Sequence, residues 1–228
     1  MMTVQENYLF SLETKGIRLG LERTQELLKK CGNPHKKVKA IQIIGTNGKG
    51  STSAILSKLL NLKYKVGLYT SPHLYSFKER IRVNGRTIPT NAVEEFIDRF
   101  QLEIEKIGAS FFEVMTVMAV WYFKESNVEY AIMETGLGGR FDSVTACNAN
   151  IFGFTSISMD HNHILGNNLR MIAKEKIAAI QKNSQVYSVK QKSITEALIT
   201  KKCIERRCSY HFIKTNHNID LALSGEHQ

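Results

Sequence analysis

Apolar and polar positions along the chain follow two periods, and the switches between them mark out the elements. Glu22 to Cys31 has helical spacing and is stopped by Gly32, Asn33 and Pro34. Val38 to Ile44 is an apolar run of strand length. Ser51 to Leu62 returns to the helical period, with Ala54, Ile55, Leu59 and Leu62 sharing a face. Val66 to Tyr69 reads as a strand, and Asn84-Gly85 turns a hairpin over Ile81 to Ile88. Pro89 and Thr90 open a long helix that ends near Gly108, and Glu113 to Lys124 is a second, mostly apolar one. Strands over Val128 to Met133, Ile151 to Thr155, Gln185 to Val189 and Ser209 to Ile213 enclose helices over Leu169 to Lys182 and Ile194 to Ile204. Strands alternating with helices predict right-handed crossovers and an α/β fold, a doubly wound, mostly parallel sheet. In such a sheet ligands gather at the carboxyl ends of the strands.

The candidate chemistry falls at those ends. Gly45-Thr46-Asn47-Gly48-Lys49-Gly50-Ser51 joins a strand to a helix. Glycines let backbone amides curl around anionic oxygens, and the helix start directs its positive end at the same place. Lys49 suits β- and γ-phosphate charge, and the Ser51 hydroxyl suits magnesium. The match to the general phosphate-loop pattern is imperfect, because the first glycine is too close to the lysine and Gly50 separates Lys49 from Ser51.

Glu134 and His161 each follow a strand, so both are expected at the phosphate-loop rim, where a carboxylate and an imidazole suit a divalent metal. The run Asp160-His161-Asn162-His163 offers two histidines and does not choose between them. Lys176 falls inside the stripe Leu169, Ile172, Ala173, Ile177 and Ile180, while Lys174 points to the opposite face. A lysine there must pair, snorkel or be modified. Thr70-Ser71-Pro72-His73 lies past another strand and offers hydroxyls and a ring nitrogen. Phe111 and Phe112 either stack on a flat substrate or open a helix as core residues. Arg80, Arg82 and Arg86 either meet carboxylates or form the polar face of the hairpin.

GTNGKGS resembles the phosphate loop of the Mur ligase superfamily, and of its folylpolyglutamate synthase/dihydrofolate synthase branch in particular. The same branch is resembled by Thr70-Ser71-Pro72-His73-Leu74 with Glu79-Arg80-Ile81, by Phe111-Phe112-Glu113 with Thr116, and by Glu134-Thr135-Gly136-Leu137-Gly138-Gly139-Arg140-Phe141-Asp142. Met159-Asp160-His161, Ile172-Ala173-Lys174-Glu175-Lys176 and Leu223-Ser224-Gly225-Glu226-His227-Gln228 follow in the expected order. The resemblance implies ATP and Mg2+ as cofactors. One magnesium ion is then held by Ser51 and Glu134, a second is reached by His161, and Lys49 serves catalysis. His163 becomes a spectator. It implies Lys176 as an N6-carboxylysine, although Ile177-Ala178-Ala179 replaces the family's small residue and glycine. Thr70, Ser71, Pro72, His73, Phe112 and Glu113 become folate-side contacts.

The implied reaction joins L-glutamate to a folate or dihydropteroate carboxylate through an acyl phosphate. Residues 1–228 are then expected to form the ATP-binding ligase domain, with the folate-side loop at about 70–90 and without the Rossmann-like carboxyl-terminal domain of the family. The other readings are a non-catalytic nucleotide-binding remnant, half of a split enzyme, or another Mur-type amino-acid ligase.

Charge alters this picture little. A net charge of +10 admits a nucleic-acid binder, but the basic residues lie in amphipathic patterns without an aromatic-studded stripe, and Lys36-Lys37-Val38-Lys39 reads as a wet loop leading into a strand. No nucleic-acid or membrane partner is expected. The four cysteines, Cys31, Cys147, Cys203 and Cys208, are scattered, and nothing reads as a signal peptide, so a cytoplasmic monomer is expected.

Overall fold

The computed structural model describes residues 3–16 and 20–214; the segment Leu223–Gln228 lies outside them. In chain order the helices and strands are α1 (Val4–Ser11), α2 (Glu22–Lys30), β1 (Lys39–Ile44), α3 (Lys49–Leu60), β2 (Val66–Tyr69), β3 (Ile81–Val83) and β4 (Arg86–Thr87). They continue as α4 (Thr90–Ile107), α5 (Phe111–Glu125), β5 (Tyr130–Glu134), β6 (Ile151–Phe154), α6 (Asn162–Leu165), α7 (Leu169–Ile177), β7 (Gln185–Ser188), α8 (Ser193–Arg206) and β8 (Ser209–Phe212).

All eight strands form one sheet in the order β4-β3-β2-β5-β1-β6-β7-β8. The six from β2 to β8 run parallel, while β3 pairs antiparallel with both β2 and β4. Asn84 and Gly85 take positive φ at the hairpin turn, as a tight two-residue connection of this hand requires.

The two faces of the sheet are covered unequally. Tyr69, Ala131 and Met133 pack under α1, α2, α4 and α5 in one large core. Ile44, Phe152, Phe154 and Val186 continue that face under α7 and α8. The other face carries Ile41, Ile43, Val66, Leu68 and Ile132, against which Leu56 and Leu60 of α3 pack. The apolar stripe of α3 does share a face, as its spacing predicts, but the face looks outward: Ile55, Leu59 and Leu62 are 62%, 59% and 80% exposed. Ser53 and Ser57 are buried instead, because small side chains let the helix lie close to the strands. Leu59→Ser is accordingly expected to change unfolding free energy by less than about 0.5 kcal/mol. Ser53→Leu should cost about 1–3 kcal/mol by overpacking. Urea unfolding of the two variants checks both.

Among the other boundaries that differ from the sequence reading, two bear on the packing. Helix α7 ends at Ile177, five residues before the expected Lys182, and residues 178–182 complete the apolar stripe as turns, with Ala179 and Ile180 buried. Helix α5 begins two residues early, at Phe111, where Ser110 and Glu113 form a reciprocal cap. Among the described residues no helix is long and apolar enough to cross a membrane.

Candidate active site

The loops that leave β1, β2, β5 and β6 all emerge at the carboxyl rim of the parallel strands, and they hold the candidate residues. After β1 the chain turns through Gly48, which caps α3 at positive φ, a conformation glycine adopts without steric cost. Thr46 ties this turn to the loop after β6: its N–H donates to Ser156 O at 2.8 Å, its hydroxyl donates to Ser158 O at 3.1 Å, and it accepts from Ser158 N at 3.1 Å. Lys49 Nζ donates to Thr46 O at 3.0 Å. Asn47, Gly48 and Ser51 are exposed at the tip, while Gly45 is buried.

Glu134 ends β5 and is 4% exposed. Burial pushes its carboxyl above the ordinary range, while the Ser71 amide, donating at 3.2 Å, and the Lys49 charge pull it back. A methyl added at Gly50 would lie 3.6 Å from both Glu134 oxygens. This one carboxylate therefore faces the glycine-rich turn at Gly50 on one side and accepts from the Thr70–His73 loop on the other. With only one backbone donor it keeps acceptor capacity for a hard cation.

His161 sits at positive φ, half-exposed, with Nε2 3.5 Å from Asp160 Oδ2. It borders a pocket of about 360 Å3 together with Ser71, Phe112, Gly136 and His163. No cluster of three or more His, Cys, Asp or Glu side chains suited to a metal occurs among the described residues. The donors present, the Glu134 carboxylate and the Ser51 hydroxyl beside a phosphate loop, fit magnesium, which is commonly held by one or two carboxylates and the phosphates themselves.

Lys176 is 3% exposed, and its Nζ donates to Gly45 O at 2.7 Å. Burial first, then the Lys49 charge, pull its pKa down to about 8, against the smaller opposing pull of Asp160 and Asp142. A lysine whose folded pKa is lowered binds fewer protons folded than unfolded between about 8 and its ordinary 10.5, so its contribution to stability rises with pH through that window. Lys176→Met should flatten that rise, read as the difference between variant and parent in urea unfolding at pH 7.5 and pH 9.5.

The loop after β5 is shaped by Asp142, a residue the sequence reading quoted without a role. Its buried carboxylate accepts from Leu137 N at 2.8 Å and Val144 N at 2.9 Å, and burial pushes its pKa up to about 6. Its one sequence signal was an acid closing a glycine-rich stretch just before Ser143, where it caps a short helical turn. Glu79 does similar work after β2, accepting from the amides of Leu74, Tyr75 and Ser76.

In the same segment the Ser71–Pro72 peptide is cis, and Arg80 Nε donates to His73 Nδ1 at 2.9 Å. Burial, then Arg80, hold the His73 pKa below its usual value. The two phenylalanines part company: Phe111 is buried, stacked on Phe10 and under the Arg80 guanidinium, whereas Phe112 is half-buried on the pocket wall. Glu113 borders the same pocket with both oxygens engaged. It accepts from Ser110 N and Oγ and pairs with Arg23 at 2.9 Å.

A dihydrofolate synthase/folylpolyglutamate synthase of Bacillus subtilis is 40% identical to the chain over 174 residues, 73% of the chain and 40% of that protein. The Escherichia coli protein of the same name is 37% identical over 171 residues. Over about three quarters of its length the chain matches proteins of the folylpolyglutamate synthase/dihydrofolate synthase family. No family model matches it. Among solved structures, E. coli FolC in complex with DHPP and ADP superposes with a TM-score of 0.85 at 30% identity, over 94% of this chain and 54% of that one. A folylpolyglutamate synthase from Thermotoga maritima gives 0.79 at 33% identity, over 90% of this chain and 48% of that one. The chain thus spans about a fifth to two fifths of the curated relatives and about half of the solved ones.

Proposed function

We propose that the chain is the nucleotide-binding and folate-side part of an ATP-dependent ligase that joins L-glutamate to a folate or dihydropteroate carboxylate. The observation that carries this reading is Glu134, a buried acid set between the phosphate loop at Gly50 and the Ser71 amide. Nucleotide phosphates at residues 45–51 and a flat substrate in the pocket beside Phe112 then meet at one carboxylate.

In the first step a carboxylate oxygen of the substrate attacks the γ-phosphorus, the bond to the β–γ bridging oxygen breaks, and ADP leaves. In the second the glutamate amine attacks the acyl carbon, phosphate departs with the bonding pair, and the amine loses a proton. Such transfers need alignment and charge neutralisation more than covalent help. Lys49 supplies positive charge at the β- and γ-phosphates. The backbone amides of residues 47–50 cradle their oxygens, with the carbonyl of Gly45 held by Lys176. Ser51, Glu134 and His161 would hold magnesium, which offsets phosphate charge when bound. Ser71, His73 and Phe112 orient the substrate ring. Lys176, with its pKa near 8, has a neutral share able to take up carbon dioxide as an N6-carboxylysine. The B. subtilis and E. coli relatives are nearly twice as long, and the remaining glutamate and adenine contacts, with closure of the site to water, fall to the part of such a ligase that this chain does not span.

Calorimetric titration tests the reading. The chain should bind MgATP and dihydropteroate each with a stoichiometry of one, and should ignore a UDP-muramyl peptide precursor. A chain that takes neither ATP nor a pterin substrate is not this half of such a ligase; preference for the muramyl compound would make it another Mur-type enzyme.

A further inference from the structure

The amino-terminal rim of the sheet, opposite the site above, carries a second concave feature. A cleft of about 740 Å3 runs beneath the starts of β5, β1, β6 and β7, lined by residues of 35–40, 147–151 and 182–185 together with Tyr130. Four lysines border it, Lys36, Lys37, Lys39 and Lys182, and no acidic side chain does. The acid closest in sequence to any lining residue is Glu129, whose carboxylate accepts from Lys65 N. None of the four ammonium groups is ion-paired among the described residues; Lys39 lies over the Tyr130 ring at 5.2 Å.

Between the lysines stand the carboxamides of Asn148, Asn150, Asn183 and Gln185, neutral donors that complement oxyanions. A second observation points the same way. His35 lines the cleft, is only 8% exposed, and its Nδ1 has no hydrogen-bond partner among the described residues. A buried ring nitrogen left without a partner costs free energy and calls for an explanation, which a bound ligand or ion supplies.

We infer that this cleft is a binding site for a small multivalent oxyanion, separate from the phosphate loop. An ordinary solvated face would intersperse both signs; four lysines converging without a carboxylate make a local positive field, strongest in a concave wall of low dielectric. The six residues of β1 put this rim roughly 20 Å from the phosphate loop, too far for one triphosphate to touch both. The site does not rest on the ligase reading and stands if that reading fails.

The experiment is residue-resolved amide NMR of the full chain, titrated with inorganic tripolyphosphate and separately with citrate at constant ionic strength, in the parent, in Lys49→Ala, and in Lys36→Ala/Lys182→Ala. The expected result is saturable shifts at residues 35–39, 148–150 and 182–185 that persist in Lys49→Ala and need at least ten times more ligand in the double variant. The two ligands decide whether phosphate or carboxylate is the preferred chemistry. Shifts confined to residues 45–51 and lost in Lys49→Ala, or cleft shifts that never saturate with either anion, would overturn the site. The lysines of the double variant are exposed, so its spectrum should otherwise superpose on the parent's.

Discussion

Lys49→Ala is expected to weaken MgATP binding by about 10- to 100-fold, the loss that follows from removing a charged hydrogen-bond donor worth about 1.5–3 kcal/mol. The thermal midpoint should stay within about 2 °C of the parent, because among the described residues the Lys49 ammonium hydrogen-bonds to Thr46 O alone, within its own turn. Calorimetry and a thermal melt separate the two quantities. Unchanged affinity would remove the central cation from the proposed chemistry. Lower affinity with a much lower midpoint would mean that the lysine chiefly shapes the loop.

Gly139→Ala is expected to be a strongly damaging single-methyl change at the site. A methyl there would stand 2.5 Å from Lys176 O and 2.9 Å from both Glu175 O and Lys176 Cα, all of them backbone atoms. Backbone cannot swing aside as a side-chain tip can, so either the loop after β5 or helix α7 must move. Overpacking of this kind costs about 2–3 kcal/mol, a fall of roughly 5–10 °C in a chain of this length. The displacement falls on the residue whose ammonium holds Gly45, so nucleotide affinity should drop as well, and more steeply than the midpoint alone explains. Gly16→Ala is the contrast: its φ is positive, which that of Gly139 is not, but nothing lies within 4 Å, so it should show only the modest cost of backbone strain and no effect on nucleotide.

Much of the architecture was legible because period and punctuation agreed. The run Val38 to Ile44, a glycine turn and a helical period gave the strand, loop and helix that place Lys49. Asn84-Gly85 gave the hairpin, and Lys176 stood out by its place in an apolar stripe, though the pattern left open whether it pairs, snorkels or is modified. What escaped the pattern had physical reasons. Helix α1 is marked by a Thr3–Glu6 capping box with only Glu6 and Leu9 buried, so it shows no clear apolar face. The orientation of α3 was concealed because Ser53 and Ser57 fill the tight contact that leucines would have advertised. Helix α7 stopped short because Ile180 goes on filling the core from a turn, so the apolar rhythm outlives the helix. Asp142 and Glu79 were missed for a common reason: each grips backbone amides, and an amide donor carries no residue identity for a motif to display. The separation of Phe111 from Phe112 rests on packing from α1, which local spacing does not contain.

The paired bonds between Thr46 and Ser158, with Thr46 N on Ser156 O, splint two stretches of chain more than a hundred residues apart into one plate. Anything that presses on the turn holding Lys49 is transmitted through that splint to the segment carrying His161, before any ligand reaches the imidazole. Occupancy of one loop should therefore be visible in the other's amide exchange, and severing Thr46 would leave two good half-sites that no longer keep time.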